Sequence, residues 1–569
     1  MKDRPRWIMA LFPVFLPLFL SGCGDSPTKV DGPAPTILAV SPTQGTVGTE
    51  VRVTGNDFRS GASVFVGNHQ ATTVEVISGA ELFAFVPEGI VAGETYDLEV
   101  RNEDGTRGEI NAAFSAVAPD LDFVNSATKP SGNTGSTVIL EGDAFGDLQG
   151  TGTVAFSDGF GGTVTAPIAA PDDWTNTFIV STVPSGAQTG PVLVTTATGE
   201  SNTLEFTVTQ NAAFSPSTIF WSETTAMPEP LSGHSAIHVP IDDAAGTTVQ
   251  RAYVVGGTRL DGTLSGQIHH SRIQAGGGLD PWVSATSLTE PRAFSTAVAA
   301  TPFNSKVPGS GRILTLGGMD ENGEPSSTVY SMEMDVDGNL GPATEETPLP
   351  TALHSAGAVI FRSYIYLAGG ATAGNEPVAS VYRAAIDTLG ALGEWEALDP
   401  MPGPRAHHGF QTFGGYLYAI GGDAGVVSPQ GGLDAAGQSR LDGVVYARLN
   451  LRNGELFSGW AENSSNLGKA RSKHVALVAG GNMFASSGLY SAAKTGSSEN
   501  TYAQINPDGS IGSFGGATGS NTLQSAGAGN LFNPAAFAYV DGDGVAHVMI
   551  LGGDNVNDPG QHSGRVFYY

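Results

Sequence analysis

Cysteine is nearly missing from this chain: among 569 residues there is one, Cys23. A lone thiol rules out an intrachain disulfide, CxxC zinc sites and cysteine-ligated iron–sulfur clusters. Charge is sparse too, at 14% of residues, and positive charge is the scarcer sign. Lys and Arg number 26 against 55 Asp and Glu, a net charge of −29. A nucleic-acid partner needs a basic face, so the balance argues against one. An acidic surface reads instead as solubility. The apolar stretch Trp7–Leu20 spans 14 residues, short of the ~20 needed for a membrane-crossing helix.

Glycine (78) and proline (34) are abundant, and apolar residues make up an ordinary 40%. That composition suits many short strands joined by Gly-rich turns, an all-β chain, and the length predicts several domains.

The N-terminus opens with a basic segment, Lys2, Arg4 and Arg6, then the apolar stretch, then Leu20-Ser-Gly-Cys23. This resembles the lipobox of bacterial lipoproteins. The resemblance implies that residues 1–22 are a signal peptide, that Cys23 is lipidated, and that the acyl chains anchor the protein in a membrane. Gly24 resembles the outer-membrane choice. The expected location is therefore the bacterial cell envelope, lipid-anchored and outside the cytoplasm. Residues 23–34, polar and containing Pro and Gly, read as a tether.

Two units of alternating strands follow. Gly45-Thr-Val-Gly48 and Gly55-Asn-Asp-Phe58 return 87 residues later as Gly132-Asn-Thr-Gly135 and Gly142-Asp-Ala-Phe145. Val86-Pro87 returns 97 residues later as Val183-Pro184, so about ten residues are inserted within 156–174. Residues 35–118 and 120–209 resemble the IPT/TIG family of Ig-like domains, whose members serve as spacers and binding modules.

From residue 213 a longer repeat begins. Ile365-Tyr-Leu-Ala-Gly-Gly370, Val381-Tyr-Arg-Ala and Trp395 are echoed by Tyr416-Leu-Tyr-Ala-Ile-Gly-Gly422, Val445-Tyr-Ala-Arg and Trp460. Glycine pairs begin at 256, 317, 369, 421 and 552, with Ser487-Gly488 a degenerate copy. The steps are 61, 52, 52, 66 and 65 residues. Residues 213–569 thus resemble the Kelch β-propeller family, whose repeat is roughly 50 residues. The last repeat ends at Arg565–Tyr569 without its Trp strand, while Ile219-Phe-Trp221-Ser222 stands alone at the start. The fold expected is two Ig-like β-sandwiches followed by a six-bladed propeller closed by its N-terminal strand.

Each repeat begins with basic or polar residues: His234, Arg292, His354, Arg405 and His408, Arg471 and His474. Equivalent positions in a ring converge, so these residues are candidates for one channel mouth, suited to an anionic or sugar ligand. The competing reading is packing between blades, since packing positions also repeat. Asp335-Val-Asp337-Gly-Asn339, with Glu346 in register, has the first half of a calcium loop. Leu340 stands where that loop needs Gly, so a hairpin turn is favoured, as at Asp541–Gly544. His269 and His270 read as surface residues. No cofactor, metal or catalytic residue is assigned.

Two functions compete: an anchored, outward-facing binding or adhesion protein with a glycan or protein ligand, and a carbohydrate-active propeller enzyme. Galactose-oxidase-like copper chemistry needs a Tyr–Cys crosslink, and the only cysteine lies in the signal region. A likeness to six-bladed sialic-acid mutarotases is more distant, and no acid–base pair stands out at the blade mouths. Binding is favoured. The ligand, the membrane and the oligomeric state are not legible.

Overall fold

A computed structural model describes residues 32–569 except 125–129, 133, 136, 169–170, 209–219, 302–308, 388–389, 428–438, 451–452, 491–498, 507, 518–521, 524–526, 542–544 and 556–557. The signal region, Cys23, Gly24 and most of the tether lie outside the described residues. Among the described residues no helix is long and apolar enough to cross a membrane.

The chain is all-β, as its composition predicts. The first Ig-like unit packs a four-stranded sheet on a five-stranded one. Its core includes Val51, Val53, Phe58, Leu82, Leu98 and Phe114. The Gly55…Phe58 motif works as its spacing suggests: the Phe58 ring folds back beneath Gly55, where a Cβ would lie 2.6 Å from it. The second unit repeats this with Gly142 and Phe145, at 2.7 Å. Its own core gathers Phe145, Phe156, Trp174 and Phe206. The two units touch through Val47 N, which donates to Thr198 Oγ1 at 2.9 Å, and Glu50 N, which donates to Asp147 Oδ2 at 2.9 Å.

Six four-stranded sheets make the propeller. Their innermost strands are Ser235–Asp242, Thr296–Ala300, Gly357–Phe361, Gly409–Phe413, Val475–Ala479 and Ala535–Val540. The sixth sheet has only three strands from the C-terminal end of the chain, and Ser222–Thr224 supplies the fourth. Ser222 pairs with Tyr568, Glu223 with Phe567 and Thr224 with Val566, antiparallel. Closure by the N-terminal strand is therefore present, three residues long and centred just past Trp221. Trp221 itself is half-buried against Phe484, with ring centroids 6.4 Å apart.

Adjacent blades are stapled by recurrent aromatic donors. Tyr253, Tyr366 and Tyr418, all fully buried, donate their hydroxyls to the carbonyls of Gly338, Gly454 and Gly509 in the following blade, at 2.7, 2.8 and 2.9 Å. A buried phenol needs such a partner. Trp282, Trp395 and Trp460 donate backward, to the carbonyls of Thr225, Thr347 and Asp399. The glycine pairs allow close approach: a Cβ on Gly369 would sit 2.3 Å from the Arg405 carbonyl oxygen of the next blade.

The second Ig-like unit meets the propeller at two ion pairs. Arg362 Nε lies 2.7 Å from Glu141, and Arg448 Nη2 lies 2.6 Å from Asp173. Arg362 sits in the turn that ends the inner strand Gly357–Phe361. That end is opposite the one where the strand enters from Ser355.

Candidate functional site at the channel mouth

The inner strands surround a channel of about 470 Å³. Its entrance is built from one residue of each blade: Gly233, Phe294, Ser355, His407, Lys473 and Asn533. Each immediately precedes or nearly precedes its inner strand. Each donates its backbone N–H to the carbonyl of the equivalent residue in the blade before it, at 2.7–3.3 Å, and Gly233 closes the ring on Asn533. All six have φ between 50° and 60°. Glycine takes that conformation freely, but for the other five it costs on the order of 1 kcal/mol each. The cyclic hydrogen bonds hold the strain in place. One mouth thus gathers a phenyl ring, a hydroxyl, an imidazole, an ammonium and a carboxamide.

The structure places the residues singled out from sequence one or two positions away from this ring. His234, His408 and His474 follow it and wedge between blades. Each imidazole packs against the first glycine of the preceding blade's pair, Gly552, Gly369 and Gly421 respectively. Burial pushes His234 down to about 4 and His408 down to about 3, and holds His474 well below its ordinary value. These rings line the channel wall, yet they are over 90% buried.

The arginines lie deeper. Arg405 Nη1 donates to the carbonyls of Gly421 and Gly443, at 2.9 and 3.0 Å. Arg292 donates to the Gly317 carbonyl at 3.4 Å and to Glu290. Arg471, with no exposed surface, lies over the Tyr490 ring at 5.2 Å. The side-chain contacts of all three are made within their own blades. Arg405→Ala should accordingly cost on the order of 3 kcal/mol in a urea melt, because two buried carbonyls lose their donor.

His354 meets the ring through its neighbour Ser355. Its Nδ1 lies 3.0 Å from Ser355 Oγ, and burial pushes it down to about 4. On the other side, Ser355 Oγ lies 2.8 Å from His407 Nε2. His407 Nδ1 is in turn 3.5 Å from Asp423 Oδ2. The Asp423 side chain is fully buried, with Arg440 Nε 3.9 Å from its other oxygen. Ser355, His407 and Asp423 were not legible as a group. Asp423 follows a glycine pair, and only the bridge between Ala406 and Asp423 brings it beneath His407.

Three other motifs resolve simply. The Asp335 carboxylate accepts from the backbone N–H of Asp337 and Asn339, at 2.9 and 2.8 Å, and so caps a hairpin turn. Among the described residues no cluster of His, Cys, Asp and Glu is arranged to hold a metal. At Asp541–Gly544, Asp541 accepts from Val545 N at 2.8 Å, while 542–544 lie outside the described residues. His270 corrects the surface reading: it is 4% exposed and stacks on Tyr253 at 5.5 Å, because its strand is covered by the next blade.

No curated protein matches the chain. The solved structure of YjhT is 12% identical over 60% of this chain and 95% of its own, with a TM-score of 0.41. Residues 35–116, the first Ig-like unit, match the family model of the IPT/TIG domain.

Proposed function

We propose that this is a lipid-anchored, outward-facing binding protein of a bacterial cell envelope. In this reading residues 1–22 are removed, 23–34 tether the protein, and the Ig-like units 35–118 and 120–209 are spacers. The propeller, 213–569, is the binding head, and its mouth takes a glycan. One observation carries the reading: five of the six blades contribute a phenyl ring and four kinds of polar group to a single ring over a channel, and the remaining one contributes Gly233. Sugars are bound by that mixture of an aromatic face and converging donors and acceptors. The contacts at Glu141 and Asp173 support it further, since they hold the propeller by its far face and leave the mouth uncovered by the spacers.

The test is a glycan array probed with protein lacking residues 1–34. Binding should fall at least about 10-fold in His407→Ala and Lys473→Ala, with little change in melting temperature. Binding that survives both changes would contradict the reading. Anchoring is tested separately: Cys23→Ala should move the protein from the membrane fraction to soluble extracts, and an unchanged distribution would count against lipidation.

A further inference from the structure

We propose that Ser355, His407 and Asp423 form an acyl-transfer relay at the mouth, and that the protein hydrolyses a short-chain acyl ester there. The inference rests on the mouth admitting a ligand, as proposed above.

The contacts place the His407 imidazole between the serine hydroxyl and the carboxylate. The Asp423 carboxylate faces His407 Nδ1 and favours the tautomer with its proton there. Nε2 is then a lone pair, and it lies 2.8 Å from Ser355 Oγ, within reach of the hydroxyl proton. His354 Nδ1 lies on the opposite side of the same Oγ, at 3.0 Å. With Nε2 unprotonated, His407 is positioned to accept the Ser355 hydroxyl proton. The distance of 3.5 Å from His407 to Asp423 is long, as such contacts often are before substrate binds. Roles, not sequence order, define this arrangement.

A second cluster of the same residue types shows what a purely structural version looks like. At the junction of blades six and one, Ser232 Oγ donates directly to Asp554 Oδ2 at 2.6 Å, and His562 binds the other carboxylate oxygen. There the carboxylate ties up the hydroxyl. At the mouth the imidazole stands between serine and carboxylate, and both Ser355 and His407 line the channel. Ala297, Val298, Ala356 and Ala358 also line it, leaving room for a short acyl chain.

The chemistry balances without a redox partner. Ser355 Oγ attacks the ester carbonyl while its proton passes to His407 Nε2. The tetrahedral intermediate collapses, the C–O bond to the alcohol breaks, and the alcohol leaves with that proton. Water then attacks the acyl-serine, giving its proton to Nε2, and Ser355 is regenerated as the acid departs.

The full chain should be assayed with p-nitrophenyl acetate and labelled with a fluorophosphonate. Labelling should map to Ser355. Ser355→Gly is the informative variant, because Gly233 already occupies the equivalent ring position at φ 60°. It should lose the label and about 10³-fold in turnover. Asp423→Asn should lower kcat with KM little changed, as expected of a positioning residue. Ser284→Ala, an exposed serine on an outer strand, should behave as wild type. No turnover and no label in folded wild type would overturn the proposal, as would equal turnover in Ser355→Gly or a label elsewhere. Loss of array binding in the His407 and Lys473 variants bears on the glycan reading. Ester turnover that depends on Ser355 bears on the relay, so the two can fail independently.

Discussion

Acidification from pH 7 to pH 4 should unfold or strongly destabilise the propeller while its fold is unaffected near neutrality. The main cause is the three histidines wedged between blades, to which His354 and His238, each pushed down to about 4 by burial, add. His234, His408 and His474 are held neutral by burial, with His234 near 4 and His408 near 3. In the unfolded chain each takes up a proton near 6.5. The unfolded state therefore binds more protons as pH falls below 6.5, and stability falls with it until the folded-state values are reached. At the acid limit His234 is worth on the order of 3 kcal/mol and His408 on the order of 5 kcal/mol, and a typical domain has only about 5–15 kcal/mol in all. His562 acts in the opposite direction. Its pKa is raised by Asp554, so its contribution is present below 6.5 and lost as pH rises through its folded value. One such group does not offset three. Calorimetry between pH 7.5 and 4.5 should show Tm falling by on the order of 10–20 °C. His408→Leu, which removes one titrating group, should flatten part of that slope. A Tm constant across the range would mean the interblade histidines are solvated.

Deleting residues 221–224 should be nearly as damaging, although the strand it removes is only three residues long. Without it the sixth blade exposes the edge of Val566–Tyr568 and Arg565 loses its two bonds to Glu223, both 2.7 Å. Trp221 would also leave the cluster it shares with Phe484, Leu531 and Phe567. An open sheet edge invites association as well as unfolding. The expected loss is on the order of 5 kcal/mol, with Trp221→Ala alone contributing about 2 kcal/mol because its ring is half-buried. Deleting Thr344–Glu345 provides the contrast. That pair is the outer strand of the second blade and is exposed, so its removal trims a blade without opening the ring. Equal losses from the two deletions would show that closure has no special weight.

The fold was largely legible in the sequence because it is written as repetition. Glycine pairs, aromatic strands and the orphan Trp221 segment define the blades, the closure and the 87-residue echo of Gly55…Phe58. The site was legible only in outline, for the opposite reason. Of the residues that recur from blade to blade, His234, His408 and His474 pack against the glycine pairs of the preceding blade, while Arg292, Arg405 and Arg471 are buried within their own. The ring one or two positions away from these residues has a shared backbone geometry and six different residue types, so no pattern marks it. His407 and His408 illustrate the difference: adjacent residues point apart, one into the mouth and one between blades. Asp423 sits 16 residues beyond His407, and only the strand register places it beneath that ring.

Everything proposed for the mouth depends on the sixth blade meeting the first, because only a closed ring makes six blades converge. Ser222 and Tyr568 face each other across the closing pair. Directly opposed residues of antiparallel strands lie about 4.5–5.5 Å apart at Cα, within disulfide range. Protein lacking residues 1–34 contains no native cysteine. Ser222→Cys combined with Tyr568→Cys, oxidised under native conditions, should therefore form one intramolecular disulfide, visible as the loss of two free thiols and a higher melting temperature. Two thiols that remain free in the folded protein would contradict the closed ring.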